Sequence, residues 1–277
     1  MSTNEGASFE PLDEVVRESV IALANAAAAD ILAVYDGAFD VERKADDSPL
    51  TAADLASHRR IVEGLHALTP DIPVLSEESA EETAAARRGW SRLWLVDPLD
   101  GTREFIKRNG EFTVNIALIE DGVAVFGVIQ APVAATLWWG DRAHGAWRRA
   151  DGGEVALETR APAIAPLRVA ASRSHRDART EAFMTKMAAQ TGEIETVGVG
   201  SSLKFCRVAE GAIDLYPRFG PTSEWDTAAG QAIVEAAGGR VLDPQGRPFR
   251  YNQRDTILNG DFVAFGDDRL PWRDWIS

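Results

Sequence analysis

The sequence predicts an α/β protein folded as a layered sandwich in two halves, and three observations carry that expectation. Two early stretches repeat their apolar residues at helical spacing. The middle reads as a buried apolar strand followed by an antiparallel meander. Beyond a polar, Gly/Pro-rich stretch at 150–166, strand-like and helix-like segments alternate. The 277 residues suffice for one large domain or two of ordinary size. That stretch divides them into expected subdomains 1–155 and 156–277.

Residues 14–34 read as a helix because Val15, Val16, Val20, Leu23, Ala27 and Leu32 recur near a 3.6 period. A second helix starts where Thr51 and Asp54 form a capping box, and Leu55, Ile61, Val62, Leu65 and Leu68 supply its apolar face. Residues 93–96 (Leu-Trp-Leu-Val) suit a buried strand. Segments 112–119 and 123–129 flank Asp121-Gly122, a two-residue hairpin signal, and 136–139 and 144–148 continue the meander. In the second half, 167–171, 213–218 and 240–242 read as strands. Residues 180–190, 202–210 and 227–237 read as helices, the last stopped by Gly238-Gly239.

Composition narrows the function. With 29 Lys plus Arg against 43 Asp plus Glu, the formal charge is −14, which disfavours polymeric nucleic acid as a partner. One cysteine and four scattered histidines exclude a disulfide framework and a cysteine/histidine zinc site. The opening residues carry no basic region followed by an apolar core, and 20–35 is read as too short and too polar to span a bilayer. A reduced cytoplasmic protein with no integral membrane segment is expected, and no basic amphipathic helix supports peripheral attachment. The acid surplus suits a hard cation held by carboxylates.

Four acidic clusters stand out. Asp97-Pro98-Leu99-Asp100-Gly101-Thr102 ends the 93–96 strand, so two carboxylates and the Leu99 carbonyl share one turn, and the amides after Gly101 can face an anion. Ser76-Glu77-Glu78-Ser79 follows the apolar run at 72–75, Glu224-Trp225-Asp226-Thr227 opens the Gly-terminated helix, and residues 44–54 run from Lys44 to Asp54. Singly, each reads as an ordinary loop, helix start or cap.

In this order they resemble the inositol monophosphatase-like superfamily of Mg²⁺-dependent, lithium-sensitive phosphatases. The two signatures are Trp94-Leu-Val-Asp97-Pro-Leu-Asp100-Gly-Thr102 and Trp225-Asp226-Thr-Ala-Ala-Gly230. The segments 103–115, 172–175, 200–205 and 215–221 are similar to the CysQ branch, the 3′(2′),5′-bisphosphate nucleotidases. Ser76 departs from the glycine that many relatives carry before the glutamate pair.

The resemblance implies an α-β-α-β-α sandwich. It also implies one Mg²⁺ on Glu77, Asp97 and the Leu99 carbonyl, a second on Asp97, Asp100 and Asp226, and room for a third, weaker ion near Glu77. The nucleophile it implies is a metal-activated water, oriented and deprotonated by Thr102 hydrogen-bonded to Asp54. Gly101 and Thr102 amides would hold the phosphoryl oxygens, and Asp226 would position the water that protonates the leaving oxygen. Ser174, His175, Ser201, Lys204 and Arg218 would contact the nucleotide; Lys44 is read as screening the loop that carries Asp46 and Asp54 and is assigned no catalytic role. The implied substrate is a small anionic nucleotide, adenosine 3′,5′-bisphosphate or 3′-phosphoadenylyl sulfate, with inhibition by Li⁺ and a monomer or homodimer as the assembly. An inositol-phosphate or sugar-phosphate phosphatase is the alternative on the same site. A catalytically silent binding module would lack at least one of Glu77, Asp97, Asp100, Thr102 and Asp226, and all five are present.

Overall fold

A computed structural model describes residues 11–38, 40–43, 49–171 and 178–276. Helix α1 (Glu14–Tyr35) starts at Asp13, whose carboxylate accepts from the Val15 and Val16 amides. At 22 residues it is about 33 Å long, and by length and composition alone it is apolar enough to cross a membrane, contrary to the reading of 20–35. Packing accounts for that apolarity. Val20, Ile21, Ala24, Ala27 and Ile31 are buried in one core with helix α2 (Ala52–Leu68) and the large sheet.

A short antiparallel pair, β1 (Val41–Arg43) and β2 (Pro49–Thr51), leads into α2. Seven strands then follow in sequential spatial order. They are β3 (Val74–Ser76), β4 (Arg92–Asp100), β5 (Thr113–Glu120), β6 (Val123–Ala131), β7 (Thr136–Asp141), β8 (Gly145–Ala150) and β9 (Gly153–Leu157). Only β3 and β4 pair in parallel; the rest is the expected meander. The short helices α3 (Ala80–Thr83) and α4 (Thr102–Ile106) flank β4 in the chain.

The second sheet draws on β10 (Leu167–Ala171), β11 (Ile194–Gly198), β12 (Leu215–Arg218), β14 (Arg240–Leu242) and β16 (Phe262–Phe265), ordered β11-β10-β12-β16-β14. A separate pair joins β13 (Thr222–Ser223) to β15 (Leu258–Asn259). The helices of this half are α5 (Ala178–Thr191), α6 (Leu203–Ala209) and α7 (Glu224–Ala236).

Three apolar cores stack these elements into an α/β layered fold, α-β-α-β-α. On β5 the alternation is explicit: Val114, Ile116 and Leu118 face α1 and α2, whereas Ala117 and Ile119 face the opposite core. That central core holds Phe205 and Cys206 of α6, Ala229 and Ile233 of α7, and Tyr216, Phe262 and Ala264 of the second sheet. The outer core sets Phe183 and Met187 of α5 against Val169, Leu215, Val263 and Phe265. Helix α7 lies so close to the large sheet that a Cβ on Gly127 would come within 2.4 Å of the Ala229 carbonyl oxygen. One on Gly230 would come equally close to the Phe205 ring, which explains the glycine ending the second signature.

Several strands carry no sequence reading of their own, the β1–β2 pair and β13 among them. In the Gly/Pro-rich stretch, β9 is an edge strand with its first four residues exposed, so no alternation marks it. Edge strand β11 has two exposed residues at its centre, β15 is two residues long, and β16 is a four-residue buried run, too short to show a period. The three-residue β3 likewise hides inside the apolar run before Glu77.

Candidate active site

The site forms where β4 leaves the large sheet. Asp97 pairs with Asn115 and Asp100 with Thr113, so three steps on β4 match two on β5. The extra residue is a bulge at Pro98-Leu99, where a proline without an amide hydrogen fits. Within it, the Leu99 amide donates to Asp97 Oδ1 at 3.1 Å. Gly101 has φ of +91°, a left-handed conformation that turns the chain into α4. A Cβ there would also press on the Glu111 carbonyl oxygen at 3.2 Å and on Ser201 Cβ at 3.3 Å.

Two other elements bring acids to this turn. The parallel register of β3 sets Ser76 opposite Val96, which delivers Glu77 beside Asp97. The fully buried Ser76 is 2.9 Å from His58 Nδ1, so a hydroxyl is accommodated where relatives were expected to carry glycine. At the start of α7, the Ser223 amide donates to Asp226 Oδ2 at 2.8 Å and fixes that carboxylate by the helix cap. Carboxylate oxygens of Asp97, Asp100 and Asp226 consequently converge within 4.8 Å of one another. Burial, reinforced by Glu77, Asp100 and Asp226, pushes the Asp97 carboxyl well above its ordinary range. Burial and Asp100 do the same to Asp226, against the opposing Ser223 amide. Among the described residues no arginine or lysine pairs with Asp97 or Asp226. Converging hard oxygen donors with unbalanced charge fit divalent cations that prefer oxygen ligands.

Asp54, 1% exposed, stands on the α2 side. Its Oδ2 accepts from the Thr51 amide at 2.8 Å and the Thr51 hydroxyl at 2.6 Å, completing the expected capping box. Its Oδ1 lies 3.3 Å from the Thr102 hydroxyl, which also lies 3.4 Å from the Leu99 carbonyl oxygen. One turn along α2, Ser57 donates to the Pro98 carbonyl oxygen at 2.7 Å and locks the helix onto the bulge.

A cavity of about 360 Å³ opens from the acid cluster. Asp100 and Gly101 line it from the β4 turn, and Ser201, Lys204, Arg218 and Asp226 line it from the second half. Ser201 holds φ of +41°, a left-handed backbone for a residue with a Cβ, and its buried Oγ has no partner. Lys204 is 8% exposed, donates to the Ser201 carbonyl oxygen at 3.0 Å, and lies over the Tyr216 ring. Burial lowers its pKa, with Asp100 opposing. Arg218 donates to the Pro221 carbonyl oxygen at 3.2 Å while its buried Nε has no partner.

The structure therefore gathers Asp54, Glu77, Asp97, Leu99, Asp100, Gly101, Thr102, Ser201, Lys204, Arg218 and Asp226 around one turn and one cavity. Ser174, His175 and Lys44 lie outside the described residues. Sequence reasoning gave no role to Ser57, His58, Asn115, Glu111 or Ser202. Two signals pointed to them: Ser57 follows Asp54 by one helical turn, and Asn115 interrupts an apolar strand. Glu111 accepts from the Gly200 amide at 3.0 Å, and Ser202 donates to Asp100.

Comparison with known proteins fits this geometry. The model of the inositol monophosphatase family matches residues 12–265. The chain is similar to the 3′(2′),5′-bisphosphate nucleotidase CysQ of Salmonella typhimurium, 54% identical over 88% of this chain and 97% of that protein. It is 52% identical to the protein of the same name in Escherichia coli, with the same coverage. The crystal structure of CysQ from Bacteroides thetaiotaomicron, a bacterial member of the inositol monophosphatase family, is similar with a TM-score of 0.75. Identity to it is 42%, covering 90% of this chain and 96% of that one. An inositol monophosphatase from Zymomonas mobilis reaches the same TM-score at 27% identity, covering 96% and 99%.

Proposed function

The chain belongs to the inositol monophosphatase family, and from that premise we propose that it is a 3′(2′),5′-bisphosphate nucleotidase. Its substrate is adenosine 3′,5′-bisphosphate, hydrolysed to AMP and phosphate, and 3′-phosphoadenylyl sulfate is converted to adenylyl sulfate by the same chemistry. The observation that carries this reading is the cavity itself, whose lining joins Asp100 and Asp226 of the converging carboxylates to the cations Lys204 and Arg218. A bisphosphate needs both kinds of group: carboxylates for the ions that meet the phosphoryl group that leaves, and cations for the charge that stays. Similarity at 52–54% to proteins named for this activity supports it.

Glu77, Asp97 and the Leu99 carbonyl would hold one Mg²⁺, and Asp97, Asp100 and Asp226 a second, with Li⁺ inhibitory. When bound, such ions neutralise phosphoryl charge and make water a stronger nucleophile. The chain supplies the rest. Thr102 orients the attacking water and takes its proton while passing its own to Asp54 Oδ1, 3.3 Å away. The Thr51 amide and hydroxyl hold the other oxygen of Asp54, so the acceptor points one way. Amides of Gly101 and Thr102, at the free N-terminal end of α4, bind the phosphoryl oxygens. A bond forms between water oxygen and phosphorus, the bond to the ribose 3′ oxygen breaks, and a second water held against Asp226 gives that oxygen its proton. The hydroxide this leaves is reprotonated from solvent, to which Asp54 returns the proton it took. The site of action is the cytoplasm.

Phosphorus NMR of a Mg²⁺-supplemented reaction tests the regiochemistry. Inorganic phosphate and 5′-AMP should appear in equal amounts, and release of the 5′-phosphate would overturn the reading. An inositol-phosphate or sugar-phosphate phosphatase is the second reading, favoured by the TM-score of 0.75 to the Zymomonas mobilis inositol monophosphatase.

A further inference from the structure

Ser202 occupies the N-cap of α6, where a serine hydroxyl ordinarily accepts from an amide of the first turn, yet its side chain makes no capping bond. It is turned the other way. The Ser202 amide donates to Asp100 Oδ2 at 2.6 Å, and the hydroxyl lies 2.6 Å from the same oxygen and 2.9 Å from the Asp226 carbonyl oxygen. The left-handed backbone of Ser201 aims that amide back across the cavity.

The direction of each proton follows from the buried polar chain behind it. Thr113 is fully buried and its hydroxyl lies 3.0 Å from Asn115 Oδ1. With that oxygen accepting, Asn115 Nδ2 donates to Ser202 Oγ at 2.9 Å. Ser202 Oγ thus receives one hydrogen bond and has a single proton left, for which both acceptors belong to acids of the cluster. Asp100 Oδ2 is the closer and carries charge, which favours it. The relay Thr113–Asn115–Ser202–Asp100 ties β5 to the second half of the molecule and saturates one oxygen of Asp100.

We propose that Ser202, oriented by Asn115, is a positioning residue that confines Asp100 to one-oxygen coordination and thereby sets both the affinity of the site for Mg²⁺ and its discrimination against Ca²⁺. Mg²⁺ demands compact octahedral geometry, whereas Ca²⁺ accepts two-oxygen carboxylates in looser shells. With Oδ2 held by two donors, Asp100 offers Oδ1 alone. Without the hydroxyl, one weaker restraint remains and the carboxylate can rotate to offer both oxygens. The proposal rests on the reading that Asp97, Asp100 and Asp226 bind divalent ions.

The test is isothermal titration of metal-free full-length protein with Mg²⁺ and, separately, with Ca²⁺, in wild type, Ser202→Ala, Thr113→Val and Asp97→Asn, with circular dichroism as the check on folding. Ser202→Ala should bind Mg²⁺ about 10- to 100-fold more weakly, the usual cost of removing a partner of a metal ligand. Its Ca²⁺ affinity should fall less, so the Mg²⁺/Ca²⁺ ratio drops. Folded Ser202→Ala with wild-type affinities and ratio overturns the proposal. Should that variant not fold, Thr113→Val decides. It leaves Ser202 in place but frees Asn115, so a reduced Mg²⁺/Ca²⁺ ratio supports the relay and an unchanged one overturns it. Asp97→Asn separates the two layers: wild-type Mg²⁺ binding there would defeat the metal-site reading itself, independently of Ser202.

Discussion

Helices α2 and α7 begin with the same local device and use it for different chemistry. In each, an aspartate at the third helical position accepts from the amide of the cap residue, Thr51 to Asp54 Oδ2 and Ser223 to Asp226 Oδ2, both at 2.8 Å. The cap consumes one carboxylate oxygen and fixes the direction of the other. On α2 the spare oxygen meets the Thr102 hydroxyl. On α7 the carboxylate so fixed converges with Asp97 and Asp100. A cap is thus a cheap way to orient a functional carboxylate, and what the other oxygen does depends on which strand end it faces.

The largest expected effect breaks the α7 half. Asp226→Asn keeps an oxygen for the Ser223 amide but removes a cation-binding charge, so turnover should fall by ~10³-fold or more. Its metal-free unfolding temperature should not fall, since repulsion within the acid cluster is relieved. Steady-state kinetics and thermal unfolding, run side by side, check both. Asp54→Asn breaks the other half. It should lower kcat by ~10²- to 10⁴-fold, the worth of a proton acceptor, while Mg²⁺ affinity measured by titration stays near wild type.

A pH experiment sharpens the contrast further. Folded-state pKa values of Asp97 and Asp226 are raised, so the folded protein binds more protons than the unfolded chain between the ordinary carboxylate range and those raised values. These two groups therefore make metal-free protein less stable as pH rises through that window. Divalent cations compete with the same protons, so the stabilisation from Mg²⁺ should be larger at pH 8 than at pH 5.5. It should reach about 2.7 kcal/mol at a hundredfold excess over Kd, readable as a shift in Tm. The smallest effect belongs to the cap itself. Thr51→Ala should cost about 1 kcal/mol, a few degrees in Tm, and leave metal affinity unchanged.

How much of this was legible in the sequence depends on whether the signal was local. Asp97, Asp100 and Gly101 sit within five residues and read directly as a turn of carboxylates and carbonyls. The Thr51–Asp54 box was equally plain because helix caps are short-range patterns. Convergence of Asp97 and Asp226, 129 positions apart in the numbering, came from resemblance and not from spacing, since α7 meets the large sheet by tertiary packing, close at Gly127, that no local pattern announces. Ser202 was hidden for the opposite reason. A serine at a helix start looks like an ordinary cap, and only its hydroxyl direction shows that Asp100 is its partner. Strands β9 and β11 escaped notice because edge strands exposed to water lose the alternation that marks a strand.

The central claim is that the cavity selects a bisphosphorylated nucleotide by combining carboxylates for cations with Lys204 and Arg218 for the second phosphate. The most direct measurement is kcat/KM for adenosine 3′,5′-bisphosphate and for inositol 1-phosphate, on the same Mg²⁺-loaded protein. The account predicts a preference for the nucleotide of ~10-fold or more, the worth of at least one charge-assisted hydrogen bond. Equal or faster release of phosphate from inositol 1-phosphate would contradict it.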